Sequence, residues 1–233
     1  RAQNTSCSSI SIPYYRTQYY GHWQPSHVWL SSSHSGSMSN NRTPQFKVGN
    51  GSWGRFIQGD TAYVYSDPFC SNLLAETTTL NGSWSALLDI PSLSSDGVHN
   101  FYFRVKDSRG NLSNCPSSAQ ETYTLDTVAP DQPSSGDVVL SSPGTDSTPT
   151  LQIGGLVYYD KVYIYKDSNC SQIATSTSNS VIRNNSQSLT TKNITTYNLS
   201  EGVTNFYVRV KDRAGNLSDC PNSPQNSYDL IYS

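Results

Sequence analysis

A sixteen-residue phrase of this chain is written twice. Residues 101–116 read FYFRVKDSRGNLSNCP and residues 206–221 read FYVRVKDRAGNLSDCP, at an offset of 105 residues. A self-copy of about that length predicts a tandem array whose units fold one at a time around separate cores. The copy extends beyond the phrase. Asp60, Tyr63, Tyr65, Asp67 and Cys70 match Asp160, Tyr163, Tyr165, Asp167 and Cys170 at an offset of 100, and the later block, including Gly97 with Gly202 and Tyr123 with Tyr228, returns to 105. The difference of five residues predicts an insertion within 172–200, in a surface loop or loosely held edge where insertions are tolerated.

The first residues hold a third, partial copy. Cys7 precedes Pro25 by 18 residues, as Cys115 precedes Pro133, and both prolines sit in Gln-Pro-Ser. Residues 1–25 are therefore expected to be the last strand of a preceding unit plus an aromatic linker. Residues 26–133 form a first complete unit and 134–233 a second. The segment VAPDQPSSG at 128–136 has a linker's composition. The chain opens at Arg1 without an initiator Met, as a mature or excised piece would. It closes on 228–233 with no further linker, so the two complete units are expected to be the distal ones of their array.

Polarity without charge sets the fold class. Only 14% of the 233 residues are charged, yet mean hydropathy is −0.54, because Ser, Thr and Asn carry the polarity. Those residues favour turns and exposed strand faces over helices. Sixteen Tyr against one Met agree with pleated, half-buried surfaces. Phe101, Phe103 and Val105 alternate with Tyr102, Arg104 and Lys106, the period of a half-buried strand. Ala62 and Val64 oppose Tyr63 and Tyr65 in the same way, and further strands are predicted at 28–30, 44–48, 84–88 and 121–125. Their counterparts are predicted at 138–140, 149–153, 194–199 and 226–231. About seven short strands per hundred residues predict an all-β chain of tandem immunoglobulin-like β-sandwiches. No apolar run is long enough to span a bilayer. A net charge of −2 and a pI near 6.1 carry no footprint for nucleic acid.

Cysteine register predicts chemistry outside the cytoplasm. Cys70 with Cys115, and Cys170 with Cys220, recur at matched positions, one disulfide per unit in an oxidising compartment, secreted or cell-surface. Zinc is disfavoured, since no second Cys or His stands nearby at ligand spacing. Cys7 has its expected partner upstream, in further repeats of the same polypeptide. The segments Asp107-x-x-Gly110-Asn111 and Asp212-x-x-Gly215-Asn216 read as structural turns, with Asp as cap and Gly in the positive-φ position. A calcium site would need several convergent oxygens, and each loop offers one carboxylate and one amide.

Residues 14–29 are the most unusual stretch, with Tyr14, Tyr15, Tyr19, Tyr20, Trp23 and Trp29 beside His22 and His27. Two roles are open: these rings cement a junction, or Tyr19, Tyr20, His22 and Trp23 bind a ligand by stacking on sugar rings. Trp53, between glycines in 49–56, is either an exposed ligand contact or a lid over the sandwich end. Trp84 alternates with Ala86 and Leu88 as a core anchor would. No catalytic, metal or cofactor constellation is present: His occurs only at 22, 27, 34 and 99.

The landmarks Tyr65, Asp67, Cys70, Gly97, Phe101, Tyr102, Arg104, Asp107, Gly110, Asn111, Ser113, Cys115 and Pro130, repeated from Tyr165 to Cys220, resemble the bacterial immunoglobulin-like (Big-type) repeats of large secreted and surface-anchored proteins. The resemblance covers about 26–233, with 1–25 as a remnant. It implies a stalk or adhesin with no enzyme activity, whose partner is a protein or glycan on another cell surface. The aromatic first segment and the loop around Trp53 depart from the pattern. The alternatives are a carbohydrate-binding module using those aromatics and a homo-oligomeric surface fibre.

Overall fold

The computed structural model describes residues 27–30, 38–49, 56, 58–78, 85–175 and 190–231, with the backbone alone for 27–30 and 190. All of its regular elements are strands. The first half contains β1 (His27–Leu30), β2 (Met38–Ser39), β3 (Gln45–Gly49), β4 (Thr61–Tyr65), β5 (Leu73–Thr78), β6 (Ser85–Asp89), β7 (Gly97–Lys106) and β8 (Glu121–Leu125). The second contains β9 (Val138–Val139), β10 (Thr150–Leu156), β11 (Lys161–Tyr165), β12 (Thr190–Thr195), β13 (Gly202–Lys211) and β14 (Asn226–Leu230).

Among the described residues four sheets form, two per half. The first half pairs β1-β3-β6 as one sheet and β2-β8-β7-β4-β5 as the other; the second pairs β12-β10-β9 and β11-β13-β14. Alternation explains why these faces meet. Phe46, Val48, Ala86 and Leu88 of the smaller first-half sheet point inward, against Ala62, Val64, Phe101, Phe103, Val105, Tyr123 and Leu125 of the larger one. Phe46 bridges them, its ring 4.8 Å from Phe101 and 5.4 Å from Phe103, inside the range where tilted aromatic pairs attract. The second half repeats the arrangement around Leu151, Ile153, Ile164, Phe206, Val208 and Tyr228, in a separate buried cluster. Each fully buried ring or aliphatic side chain contributes about 1.5–3 kcal/mol relative to exposure. The architecture is two immunoglobulin-like β-sandwiches in tandem.

Three details differ from the sequence expectation. The strand expected at 194–199 lies at 190–195, because its pairing with β10 sets Thr150 opposite Thr195 and Ile194 opposite Leu151. Leu199, beyond its end, is buried in the core of the second half, and its N–H donates to the Ser147 carbonyl at 2.7 Å. The strands of the repeated phrase start four residues early, at Gly97 and Gly202, where positive φ (123° and 97°) is open to glycine at no steric cost. The outer face of β7 is not solvated along its length: Tyr102 and Tyr65 are buried against Cys70, with Tyr63 and Cys115 packed alongside.

Candidate functional site

The buried outer face is made by a loop that the disulfide holds down. After β4 the chain turns through Asp67-Pro68-Phe69-Cys70. The Asp67 carboxylate accepts the N–H groups of Phe69 (2.9 Å), Ser71 (3.0 Å) and Asn72 (2.6 Å). That fan forces Cys70 into the left-handed region at φ 52°. From there its sulfur reaches Cys115, with Cα atoms 5.9 Å apart. The second half rebuilds the device: Asp167 takes Ser171 and Gln172, Cys170 has φ 51°, and it bonds to Cys220 with the same Cα spacing of 5.9 Å. Hydrogen bonds to their charged forms, led by those from Asn72 and Gln172, hold the Asp67 and Asp167 carboxyls below their ordinary range. Tyr65 and Tyr165 are pushed up by burial beneath the loop. At the loop tip Phe69 is 84% exposed; Asn169 takes its place in the second half.

The repeated Asp-x-x-Gly-Asn turns connect β7 and β13 to the segments carrying Ser113 and Ser218. Asp107 accepts the N–H groups of Arg109 (3.0 Å) and Asn111 (2.8 Å) and the Asn111 side-chain amide (2.8 Å). Asp212 accepts those of Gly215 (2.7 Å) and Asn216 (2.8 Å) and the Asn216 amide (2.9 Å). Gly110 and Gly215 take φ 94° and 106°, which a Cβ would strain. Each turn therefore holds itself together with its own carboxylate. Among the described residues, no three His, Cys, Asp or Glu converge as a metal site requires.

The second turn also reaches across to the first half. The Asn40 N–H donates to the Ala214 carbonyl at 3.0 Å, and the Asn216 side chain gives its other amide proton to the Asp126 carbonyl at 2.9 Å. The connecting segment is stitched at both ends. Thr127 donates through its N–H (2.8 Å) and hydroxyl (2.9 Å) to Asp96, which also faces Arg42 at 3.6 Å. At the other end Gln225 donates its side-chain amide to the Pro133 carbonyl, and Ser134 closes on Asp137 at 2.7 Å. A stretch whose composition reads as a free linker is thus pinned to both halves.

The ligand-binding candidates Tyr19, Tyr20, His22, Trp23 and Trp53, together with Cys7 and Trp84, lie outside the described residues. Sequence reading assigned no role to two matched pairs. Ser113 and Ser218 accept the N–H of Val105 and Val210 at 3.0 Å, and the Gln120 side chain accepts that of Phe103 at 2.8 Å, as Gln225 does for Val208. All of them repeat at the offset of 105 residues, which was the available signal. The junction contacts left no such signal, because Asn40 and Asp126 have no counterpart of the same residue type in the second half.

No family model matches this chain, and no curated protein resembles it in sequence. Solved structures of similar shape include fibronectin(III)-like modules of Clostridium thermocellum CbhA, 12% identical, covering 88% of this chain and 93% of theirs with a TM-score of 0.44. The FN1–FN3 domains of chicken CNTN1 are 13% identical over 86% of this chain and 65% of theirs, TM-score 0.42. The BSP domain of a biofilm-associated protein is 14% identical over 83% of this chain and 28% of its own, TM-score 0.27.

Proposed function

We propose that this chain is a non-catalytic extracellular or cell-surface module of the adhesin or stalk kind. It is built from bacterial immunoglobulin-like repeats at 26–133 and 134–233, and it spaces or presents a binding surface to a protein or glycan on another cell or matrix. The observation that carries the reading is the serial arrangement: two sandwiches, each closed by its own disulfide, joined by a segment hydrogen-bonded at both ends. Such a chain transmits load and holds distance, and the disulfides suit an oxidising compartment. The repeated Asp, Asn, Ser and Gln residues named above hold turns and buried main-chain groups, a structural use that supports the non-catalytic reading.

The test has two arms. Antibody against the purified chain should stain intact source cells, and thiol labelling without reductant should leave Cys70, Cys115, Cys170 and Cys220 unmodified. Beads coated with the chain should adhere to a panel of cells, matrix proteins or glycans above albumin-coated controls. Staining only of broken cells, with those four thiols free, would sink the surface reading; beads no stickier than albumin would sink the adhesive one.

A further inference from the structure

The two halves carry the same turn in different surroundings. In the second, the Ala214 carbonyl and the Asn216 amide engage the first half, and Ala214 and Asn216 are buried to 4% and 9% exposure. A Cβ on Gly215 would meet the Asn40 side chain at 3.6 Å. In the first, the matched atoms are the Arg109 carbonyl and the second amide proton of Asn111. Neither has a partner among the described residues, and both residues are exposed. A Cβ on Gly110 would meet nothing within 4 Å, and Leu112 is exposed where its counterpart Leu217 is half-buried. Yet the bonds between Asp and Asn within each turn are the same: the Asn amide to Asp at 2.8 and 2.9 Å, and the Asp N–H to the Asn carbonyl at 2.9 Å in both.

The far end of the second half supplies the complement. The Asp126 N–H donates to the Ser39 carbonyl at 3.1 Å, and the Ile231 N–H donates to the Gly144 carbonyl at 3.0 Å. Thr145 and Ile231 therefore stand where Asn40 and Asp126 stand in the first half. The clasp between halves uses only main-chain groups of Asn40 and Asp126, so the change of side chain to Thr and Ile leaves its donor and acceptor in place. A clamp at one end and its receiver at the other is a head-to-tail arrangement, which propagates instead of closing.

We propose that the 107–111 turn is a docking surface for the far end of a preceding immunoglobulin-like unit of the same polypeptide. The Arg109 carbonyl takes that unit's main-chain N–H, and Asn111 gives its second amide proton to that unit's main-chain carbonyl. The proposal rests on the array reading above, in which the partial copy ending in Gln24-Pro25-Ser26 is the remnant of such a unit.

A tandem protein tests it. Residues 21–233 are joined after Ser233 of a full chain, which restores the seven-residue spacing that separates Asp126 from Pro133. The first copy then offers Thr145 and Ile231 to the 107–111 turn of the second. With one copy isotope-labelled at a time, hydrogen exchange is followed by NMR, and Asn216 of the single chain serves as the engaged reference. Expected is at least a tenfold slowing, relative to the single chain, of the Asn111 side-chain amide protons in the second copy and of the Thr145 N–H in the first. Exchange unchanged by tandem fusion, with Asn216 protected, overturns the proposal. An unprotected Asn216 overturns it too, since the clasp it extrapolates would not hold. Slowing of Asn111 in the single chain that grows with concentration would make a separate copy the occupant, and overturns the same-polypeptide form. Failure of the bead assay alongside a protected Asn111 would instead remove the adhesive reading and leave the docking intact.

Discussion

Removing one disulfide should weaken one half and not the other, by an amount the structure sets. The bond between Cys70 and Cys115 spans 45 residues and that between Cys170 and Cys220 spans 50. Loop-closure entropy for chains of that length gives about 4 kcal/mol for each. A second contribution has the opposite sign. Cys70 sits at φ 52°, a conformation that costs a non-glycine residue about 1 kcal/mol and that glycine adopts freely. Cys70→Ala/Cys115→Ala should therefore lose about 4 kcal/mol, and Cys70→Gly/Cys115→Ala about 1 kcal/mol less. All four Trp residues lie at or before position 84, so indole fluorescence reports on the first half while far-UV circular dichroism follows both. With a urea dependence of about 2 kcal/mol per molar for a domain of this size, the fluorescence midpoint should fall by about 2 M and the second transition should stay. A fluorescence midpoint that moves by less than about 0.5 M would refute the unfolded-state argument. A second transition that falls equally far would refute the independence of the two cores. A glycine variant weaker than the alanine variant would show that the Asp67 fan, not the disulfide, bears the strained turn.

The remaining expectations follow from particular groups. Asp67, Asp167 and Asp96 have folded pKa values below their unfolded ones, because N–H groups of Asn72, Gln172 and Thr127 favour the charged form. Their stabilisation is complete above the unfolded carboxylate pKa of about 3.9 and is lost as pH falls through the folded values. Urea midpoints should accordingly drop below about pH 4, and Asp67→Asn should flatten that limb for the first half; an unchanged limb contradicts the assignment. Asp160 is shifted the other way, since burial disfavours its charge despite the Val157 N–H at 2.7 Å. Because burial disfavours that charge, Asp160→Asn should leave the second half as stable or more so in the same melts, whereas a loss above about 1 kcal/mol, on the scale of a lost hydrogen bond, argues against it. Ser113→Ala and Ser218→Ala each orphan a buried N–H, of Val105 and Val210, and should cost about 1–3 kcal/mol in the half that carries them. Equal melts for wild type and variants would mean that water replaces the hydroxyl.

Much of this protein can be read before it folds. Alternation at 62–65 and 101–105 places the inward residues, because a strand has a period of two and one face must leave water. The cysteine register pairs 70 with 115 and 170 with 220, and the turn residues announce their own caps, because these are local requirements of backbone and carboxylate geometry. Tertiary structure alone decided the rest. Only pairing with β10 places β12 at 190–195, since strand register is a property of two segments together. Tyr102 alternates as an outward residue and is buried, because a loop from elsewhere in the chain is fastened over it. The segment after Asp126 has a linker's composition and is pinned, because its partners Asp96, Asn216 and Gln225 lie far away in sequence, one in the first half and two in the second. Short-range steric and capping rules act through neighbours and leave their mark in the order of residues. Long-range hydrogen bonds to main-chain atoms place few demands on residue type, and so the junction between the halves is visible only once the chain has closed on itself.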